Sequence, residues 1–152
     1  MITPLSLQDQ DTLEQLWRLQ HIAYRLEAER IGFYQIPPLM DTLDTLRACG
    51  EQFYGRVDEE AEIIGAVAVE EGTDSICISR MMVHPDCFKQ GIASSLMEYV
   101  LEQYNEVPLK VVSTGALNLP AVSLYQKYGF KPVGSEEIAP GVELITFHLN
   151  NM

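Results

Sequence analysis

The feature that most constrains the fold is a change in the spacing of apolar residues near Glu51. Before it, residues 12–32 place their apolar side chains on one helical face, after a run of N-cap candidates between Ser6 and Asp11. After it come three β-branched or aromatic runs, QFYGRV, EIIGAVAVE and SICISRMMV, separated by turn residues. The pattern predicts a long helix ending near Gly32 and then an antiparallel meander of three strands.

The remaining segments alternate between helical and extended patterns. MDTLDTLRACG predicts a second, shorter helix with Asp41 as its N-cap and Gly50 as its stop, and the double proline of FYQIPPL argues against a helix before it. Helices are expected at about 91–104 and 120–128, with strands at LKVVST, FKPVG and VELITFHL. The 152 residues therefore predict one α/β domain with a mixed sheet over 1–152.

The composition narrows the class of protein. No apolar run approaches the roughly 20 residues of a membrane span, so no membrane insertion is expected. The net charge of -12 argues against nucleic-acid binding, because Lys and Arg contacts to phosphate supply most of that affinity. Three cysteines without a CxxC pair, and no secretory leader pattern, predict a cytoplasmic location. His84 and Cys87 lack a second such pair, so no metal site is predicted.

The charge is unevenly distributed along the chain. Residues 80–131 have a balance of +1, which leaves -13 for the other residues. Two interpretations remain open: scattered charges on solvated faces, or a site for an anionic ligand in the near-neutral segment.

The segment MVHPDCFKQGIASSLMEYVLEQY changes from an extended to a helical pattern at Gly91. A helix N-terminus directs unpaired N–H groups and the positive end of the helix dipole at one point, which attracts phosphate. Gly91, Ala93 and Ser94 are small enough to let an anion reach the backbone, and Lys89 and Gln90 offer side-chain donors. The nucleotide-binding patterns GxxxxGK[ST] and GxGxxG are both absent. Ordinary helix packing is the alternative interpretation of this segment.

A second motif follows in STGALNLPAVSLYQKYGF. Asn118 stands at a helix entrance, Pro120 at a favoured first position, and Tyr125 within the helix. Together, VHPxxFxxGIAxxLM and NxPAxxLYxKxGF resemble the two signature segments of the GNAT superfamily, the acetyl-CoA-dependent N-acyltransferases, in the family's order and separation. The resemblance is specific over about residues 75–132 and looser elsewhere, where only the order of elements supports it.

The resemblance implies a GNAT-like fold and an activity. The fold is a mixed, mostly antiparallel sheet of about six to seven strands, with helices on both faces and a splay between the fourth and fifth strands. Acetyl-CoA is the implied co-substrate, without a metal. The implied reaction is direct acetyl transfer, in a ternary complex, to a primary amine of a small-molecule or protein acceptor. The protein would be a monomer or a homodimer.

The same resemblance implies which residues form the site. Backbone amides of the turn would hold the pyrophosphate, the preceding strand would pair with the pantetheine arm and polarise the thioester carbonyl, and an asparagine would contact the arm. These cofactor-binding residues are Met81, Met82, Val83, Lys89, Gln90, Gly91, Ile92, Ala93, Ser94 and Asn118. Tyr125 matches the tyrosine near the sulfur and is the predicted catalytic acid for the leaving thiolate. Packing of this tyrosine on the sheet is the alternative.

The sequence departs from the family pattern in two places. Phe88 stands where Arg or Gln is common, which removes one side-chain donor from the turn. The segments that match the family's fourth and fifth strands, SICISRMMV and LKVVST, contain no Asp or Glu. No base is therefore assigned to the acceptor amine, whose pKa is about 10. The remaining candidates, each of which is also a plausible surface group, are Glu27, Glu29, Glu51, His84 and ordered water. Cys87 is not expected to be a nucleophile, since direct transfer requires no acyl-enzyme.

In this family the first two helices and their connection cover the acceptor side. The residues that would line that mouth, or else pack on the sheet, are Tyr24, Glu27, Phe33, Tyr34 and Ile36 to Pro38. The acidic surroundings favour cationic acceptors. Two other functions remain open: a non-catalytic acyl-CoA-binding or regulatory module on the same fold, and a domain that binds another phosphorylated ligand at a helix terminus.

Overall fold

The computed structural model describes residues 2–150 and contains one seven-stranded sheet in the order β1-β2-β3-β4-β5-β7-β6. Adjacent strands are antiparallel except for β4 and β5, which are parallel. The strands are β1 (Ile2–Leu5), β2 (Gln52–Val57), β3 (Ile63–Glu71), β4 (Ser75–Val83), β5 (Leu109–Gly115), β6 (Lys131–Ala139) and β7 (Val142–Asn150). The predicted meander and the mostly antiparallel mixed sheet are confirmed.

Four α-helices connect these strands. They are α1 (Gln10–Ile31), α2 (Leu43–Arg47), α3 (Ile92–Gln103) and α4 (Leu119–Lys127), and short 3₁₀ turns cover Pro37–Met40 and Pro85–Cys87. None of the helices between residues 2 and 150 combines the length and apolarity needed to cross a membrane.

The ends of α1 follow from its capping residues. The carboxylate of Asp9 accepts hydrogen bonds from the backbone N–H and the hydroxyl of Thr12, at 3.0 and 2.7 Å. At the other end, Gly32 adopts a left-handed φ of 71° and donates its N–H to the carbonyl of Ala28. The predicted end of the helix near Gly32 is therefore confirmed.

The sheet is covered by helices on both faces because side chains alternate along its strands. Phe53, Ala66 and Ala68 pack with α1 and α2, whereas Tyr54 and Val67 pack with α3 and α4. The two resulting cores lie on opposite faces of the sheet, as the resemblance implied.

A β-bulge divides β4 into two halves that face differently. Ala68 lies opposite Arg80, and Val69 lies opposite Ile78, so Ser79 is an extra residue in β4. The bulge reverses the alternation: Ile78 packs on the α3 side of the sheet and Met82 on the α1 side.

The parallel pairing of β4 with β5 ends at this bulge. It covers Ser75–Ile78 on β4 and Leu109–Val112 on β5. Beyond these residues the two strands part, which matches the predicted splay between the fourth and fifth strands and leaves the second half of β4 with an open edge.

The structure differs from the sequence-based expectation in three places. Strand β1 was not predicted; its four residues are too few for a periodic pattern and are held by pairing with β2. The N-cap of α2 is Thr42 rather than Asp41, because Thr42 and Thr45 exchange backbone and side-chain hydrogen bonds. The double proline forms a 3₁₀ turn, which tolerates proline where backbone N–H groups are unpaired.

Candidate functional site

A cavity of about 730 Å³ lies where β4 and β5 part, between α1, the turn before α3 and the start of α4. All the predicted site residues except Gln90 line it: Met81, Met82, Val83, Lys89, Gly91, Ile92, Ala93, Ser94, Asn118 and Tyr125. Gln90 is exposed and lies outside the lining. Residues that are up to 44 positions apart in sequence are thus brought to one cavity.

The turn before α3 has left-handed backbone at Lys89 (φ 65°) and Gly91 (φ 73°). A Cβ added to Gly91 would meet no heavy atom within 4 Å, so conformation rather than crowding favours glycine there. Gly91 is the N-cap of α3 and provides no side-chain hydrogen bond to the first turn. The first amides of α3 therefore have no capping side chain and can bind an anion.

Two cations that the sequence did not single out lie beside this turn. The guanidinium of Arg30, at the end of α1, sits over the ring of Phe88 at 5.8 Å from its centroid, and Arg30 lines the cavity. The Nζ of Lys127 donates to the hydroxyl of Ser94 at 3.3 Å. Arg30 and Lys127 belong to other helices, so their position beside this turn could not be predicted from the local sequence.

The open edge of β4 presents backbone N–H groups to the cavity. His84 donates its N–H to the carbonyl of Ile64 on β3. Because the N–H direction alternates along a strand, the N–H groups of Met81 and Val83 face the splay. The Met81 N–H donates to the hydroxyl of Tyr24 at 3.0 Å, so a tyrosine on α1 reaches this edge.

Tyr125 is both packed on the sheet and part of the cavity lining. The centroid of its ring lies 6.0 Å from the ring centroids of Phe130 and Phe147, and the residue is 4% exposed. Burial, with a smaller contribution from the nearby charge of Glu27, raises the pKa of the Tyr125 phenol well above its ordinary value. Tyr125 therefore keeps its proton at neutral pH.

Asn118 joins α4 to α1 through its side chain. Its Nδ2 donates to Oε1 of Glu27 at 2.7 Å and to Oγ1 of Thr114 at 3.4 Å, and Asn118 is 5% exposed. Glu27 lines the cavity beside Tyr24 and Tyr125. Burial raises the pKa of Glu27, against the opposing effects of the Asn118 hydrogen bond and the charge of Arg30.

The predicted acceptor mouth is formed only in part. Tyr24, Glu27 and Ile36, Pro37 and Pro38 line the cavity, but Phe33 and Tyr34 do not. Phe33 packs against the core on the α1 side, and Tyr34 is 59% exposed.

The floor of this mouth is an ion network centred on Arg80. Its guanidinium pairs with Asp41 at 2.6 Å and with Glu51 at 2.9 Å, and it donates to Oε1 of Gln20 at 2.8 Å. Burial is the largest single influence on Asp41 and Glu51 and would raise their pKa values. The hydrogen bonds and charge of Arg80, together with hydrogen bonds from neighbouring side chains, outweigh it in sum, and both pKa values are lowered. The one arginine in the otherwise uncharged strand β4 was the sequence signal for this network.

Among residues 2–150, no group of three or more His, Cys, Asp or Glu side chains is placed to hold a metal ion. The cavity lining provides carboxylates, phenols, cations and backbone amides.

Comparison with known proteins supports one family. The model of the Acetyltransferase (GNAT) domain matches residues 42–150. The UPF0157 protein YqkA of Bacillus subtilis is 33% identical over 149 residues, which cover 98% of this chain and 43% of YqkA. The chain spans half or less of the length of the curated relatives it matches.

Solved structures share the fold at low identity. The ribosomal-protein-S18-alanine N-acetyltransferase from Escherichia coli matches with a TM-score of 0.77 and 17% identity, over 99% of this chain and 94% of that one. The PaiA N-acetyltransferase from Thermoplasma acidophilum, solved in complex with coenzyme A, matches with a TM-score of 0.74 and 16% identity over 96% of both chains. With a family match that covers well over half of its residues, this chain belongs to the GNAT acetyltransferase family.

Proposed function

We propose that this protein is an acetyl-CoA-dependent N-acetyltransferase that transfers an acetyl group directly to a primary amine. One observation carries the proposal: a single cavity joins the uncapped N-terminus of α3 to the buried phenol of Tyr125 along the open edge of β4. An anion site at one end of the cavity and a proton donor at the other suit a ligand that has phosphate groups at one end and a reactive acyl group at the other.

The residues that line the cavity fit acetyl-CoA. The amides from Lys89 to Ser94 would hold the pyrophosphate, since the first turn of α3 has no side-chain cap. Met81, Met82 and Val83 would pair with the pantetheine arm along the open edge of β4, as an added strand does. The cavity volume of about 730 Å³ lies within the usual range for ligand sites.

Arg30 compensates for the aromatic residue in the turn. Phe88 provides no hydrogen-bond donor, but its ring supports the guanidinium of Arg30 at the mouth of the cavity. A planar guanidinium binds phosphate oxygens through two parallel N–H groups. We assign Arg30 the side-chain contact that the turn itself lacks.

When bound, acetyl-CoA supplies an acetyl group activated as a thioester. Tyr125 holds its proton at neutral pH, because burial and the charge of Glu27 raise its pKa, and it gives that proton to the leaving sulfur. Val83 and Met81 offer N–H groups to the thioester oxygen, and the Tyr24 hydroxyl bonded to Met81 must yield that amide first.

The acceptor enters from the side of α1 and the 3₁₀ turn. Glu27, Asp41, Glu51 and Glu70 line this side, and Arg80 neutralises only part of their charge. This charge, together with the net charge of the chain, favours an amine that arrives as a cation.

The first experiment is a calorimetric titration with acetyl-CoA, with ATP and NAD as controls. Saturable binding of acetyl-CoA but not of the controls, followed by thiol release in the presence of primary amines, is the expected result. Equal binding of all three ligands would indicate a general anion site instead. Acetyl-CoA binding without thiol release from any amine would favour the non-catalytic acyl-CoA-binding module, for which the absence of carboxylates on β4 and β5 is the supporting observation.

A further inference from the structure

We propose that Glu27 is the catalytic base that takes the proton from the acceptor amine. The inference rests on the proposed function and deepens it, because it names the residue that makes the amine nucleophilic. Neither β4 nor β5 carries a carboxylate, and α1 instead brings one into the same cavity from 91 residues before Asn118.

The geometry around Glu27 suits a base. Its Oε1 is held by the Nδ2 of Asn118 at 2.7 Å, which fixes the orientation of the carboxylate. Its Oε2 accepts no hydrogen bond from residues 2–150. Every fully buried side-chain oxygen in this range has a hydrogen-bond partner, so the unpartnered Oε2 is not fully buried, and Glu27 lines the cavity. One oxygen is therefore anchored and the other can accept a proton.

The other candidate side chains are excluded by their contacts or by their positions. Both carboxylate oxygens of Glu51 accept hydrogen bonds from Arg80, and the Ser79 hydroxyl also donates to Glu51. Glu29 is exposed and does not line the cavity. His84 lines a separate hollow with Gln15 and its neighbours.

Two further carboxylates that line the cavity are also unsuitable. Asp41 is paired with Arg80 and also accepts from Gln20 and Thr45. Glu70 is exposed at the rim, and its charge acts on Cys77 rather than on either phenol. The charge of Glu27, by contrast, acts on both Tyr24 and Tyr125.

The charged and titratable groups around Glu27 decide when it can act. Arg30 and Tyr24 face it from α1, and Tyr125 faces it from α4 together with the uncharged Asn118. Burial raises the pKa of Glu27 above its ordinary value, so the carboxylate is a stronger base than an exposed one. Activity that depends on the ionised form of Glu27 is lost as the pH falls through this raised pKa.

The protons and electrons balance in this scheme. Glu27 takes one proton from the ammonium group of the acceptor, and the freed lone pair forms the new N–C bond. The C–S bond breaks with its electron pair on sulfur, which receives the Tyr125 proton, and the second nitrogen proton restores Tyr125. Glu27 then releases its proton to water, so the products are an amide, a thiol and one proton.

The test compares E27Q with E29Q, a matched variant at an exposed position on the same helix. Glutamine can still accept the Asn118 hydrogen bond, so E27Q should bind acetyl-CoA with a Kd within about twofold of the wild type. We expect kcat/KM for an alkylamine acceptor to fall by about 10²-fold or more, and for an arylamine, which is already neutral at pH 7, by less than tenfold. E29Q should be unchanged with both amines.

The pH dependence adds a readout that a purely structural role would not change. The acid limb of kcat/KM should be present in the wild type and in E29Q and absent in E27Q. NMR of carbon-13-labelled glutamate side chains should show one carboxyl group that titrates above the others and is missing from E27Q, without any need for turnover.

The proposal is overturned if E27Q keeps alkylamine activity within about threefold of the wild type, or if both amines lose the same factor. It is also overturned if the Glu27 carboxyl titrates with the exposed glutamates. Failure of the proposed function is distinguishable, because the wild-type protein would then either not bind acetyl-CoA in the calorimeter or bind it without releasing thiol in the presence of any amine.

Discussion

The guanidinium of Arg80 on β4 lies 2.6 Å from the carboxylate of Asp41, which precedes α2. Both side chains are largely buried, with 10% and 14% of their surfaces exposed. The same guanidinium also holds Glu51, at the start of β2. Arg80 thereby links the bulged strand to the two segments that border the proposed acceptor side of the cavity.

Replacing Arg80 with methionine should lower the free energy of unfolding at pH 7 by about 3 kcal/mol, because two buried carboxylates lose their partner. Urea denaturation measures the change. The control is R47M, which removes an exposed pair with Asp44 and should cost under about 0.5 kcal/mol. Similar losses in the two variants would contradict a structural role for the buried network.

The stability lost in R80M should also depend on pH. The pKa values of Asp41 and Glu51 are lowered in the folded protein, so their contribution is present above the unfolded values near 4 and is lost as the pH falls through the folded values. The difference between wild type and R80M should therefore narrow below about pH 4. A constant difference from pH 7 to pH 3 would count against this assignment.

Replacing Tyr125 with phenylalanine should lower kcat by about 10²-fold, because the leaving sulfur loses its proton donor. The ring and its contacts with Phe130 and Phe147 are retained, so the Kd for acetyl-CoA should stay within about twofold. Y34F, at an exposed position outside the cavity, is the matched control. Unchanged turnover in Y125F would assign this tyrosine to packing alone.

Replacing Gly91 with alanine should weaken acetyl-CoA binding by tenfold or more while costing about 1 kcal/mol of stability, the penalty for an L-residue at left-handed φ. G32A is a matched control, because Gly32 has nearly the same φ and the same open space around it, but it lies at the end of α1. Calorimetry and urea denaturation separate the two effects. Equal Kd values for G91A and G32A would mean that the ligand does not approach Gly91.

Replacing Arg30 with alanine should weaken acetyl-CoA binding by about fivefold, or about 1 kcal/mol. Salt should weaken binding less steeply in the variant, because one exposed phosphate contact is gone. R25A changes an exposed arginine of α1 that does not line the cavity and should leave the Kd unchanged. If R25A and R30A weaken acetyl-CoA binding equally, Arg30 makes no specific contact with the ligand and contributes only through long-range electrostatics.

The elements from β2 to β7, and the turn before α3 that we propose to bind an anion, could be predicted from the sequence alone. These features are local: apolar residues repeat with the period of a strand or a helix, and caps such as Gly32 stand beside the residues they terminate. The two signature segments also placed Gly91, Asn118 and Tyr125 at one site. These segments were sufficient to suggest the family, although the short strand β1 was not predicted because it is defined only by its pairing with β2.

Which charged side chains meet in the cavity depends on the packing of distant elements. Glu27 and Asn118 are 91 residues apart, and Arg80 and Asp41 are 39 apart, and no local pattern encodes such contacts. The bulge at Ser79 reverses the facing of β4, so that Arg80 turns toward α1 and the strand edge opens beside Tyr24. The sequence specifies which side chains are present. Their positions in the cavity depend on how α1 packs across a sheet in which β4 and β5 separate.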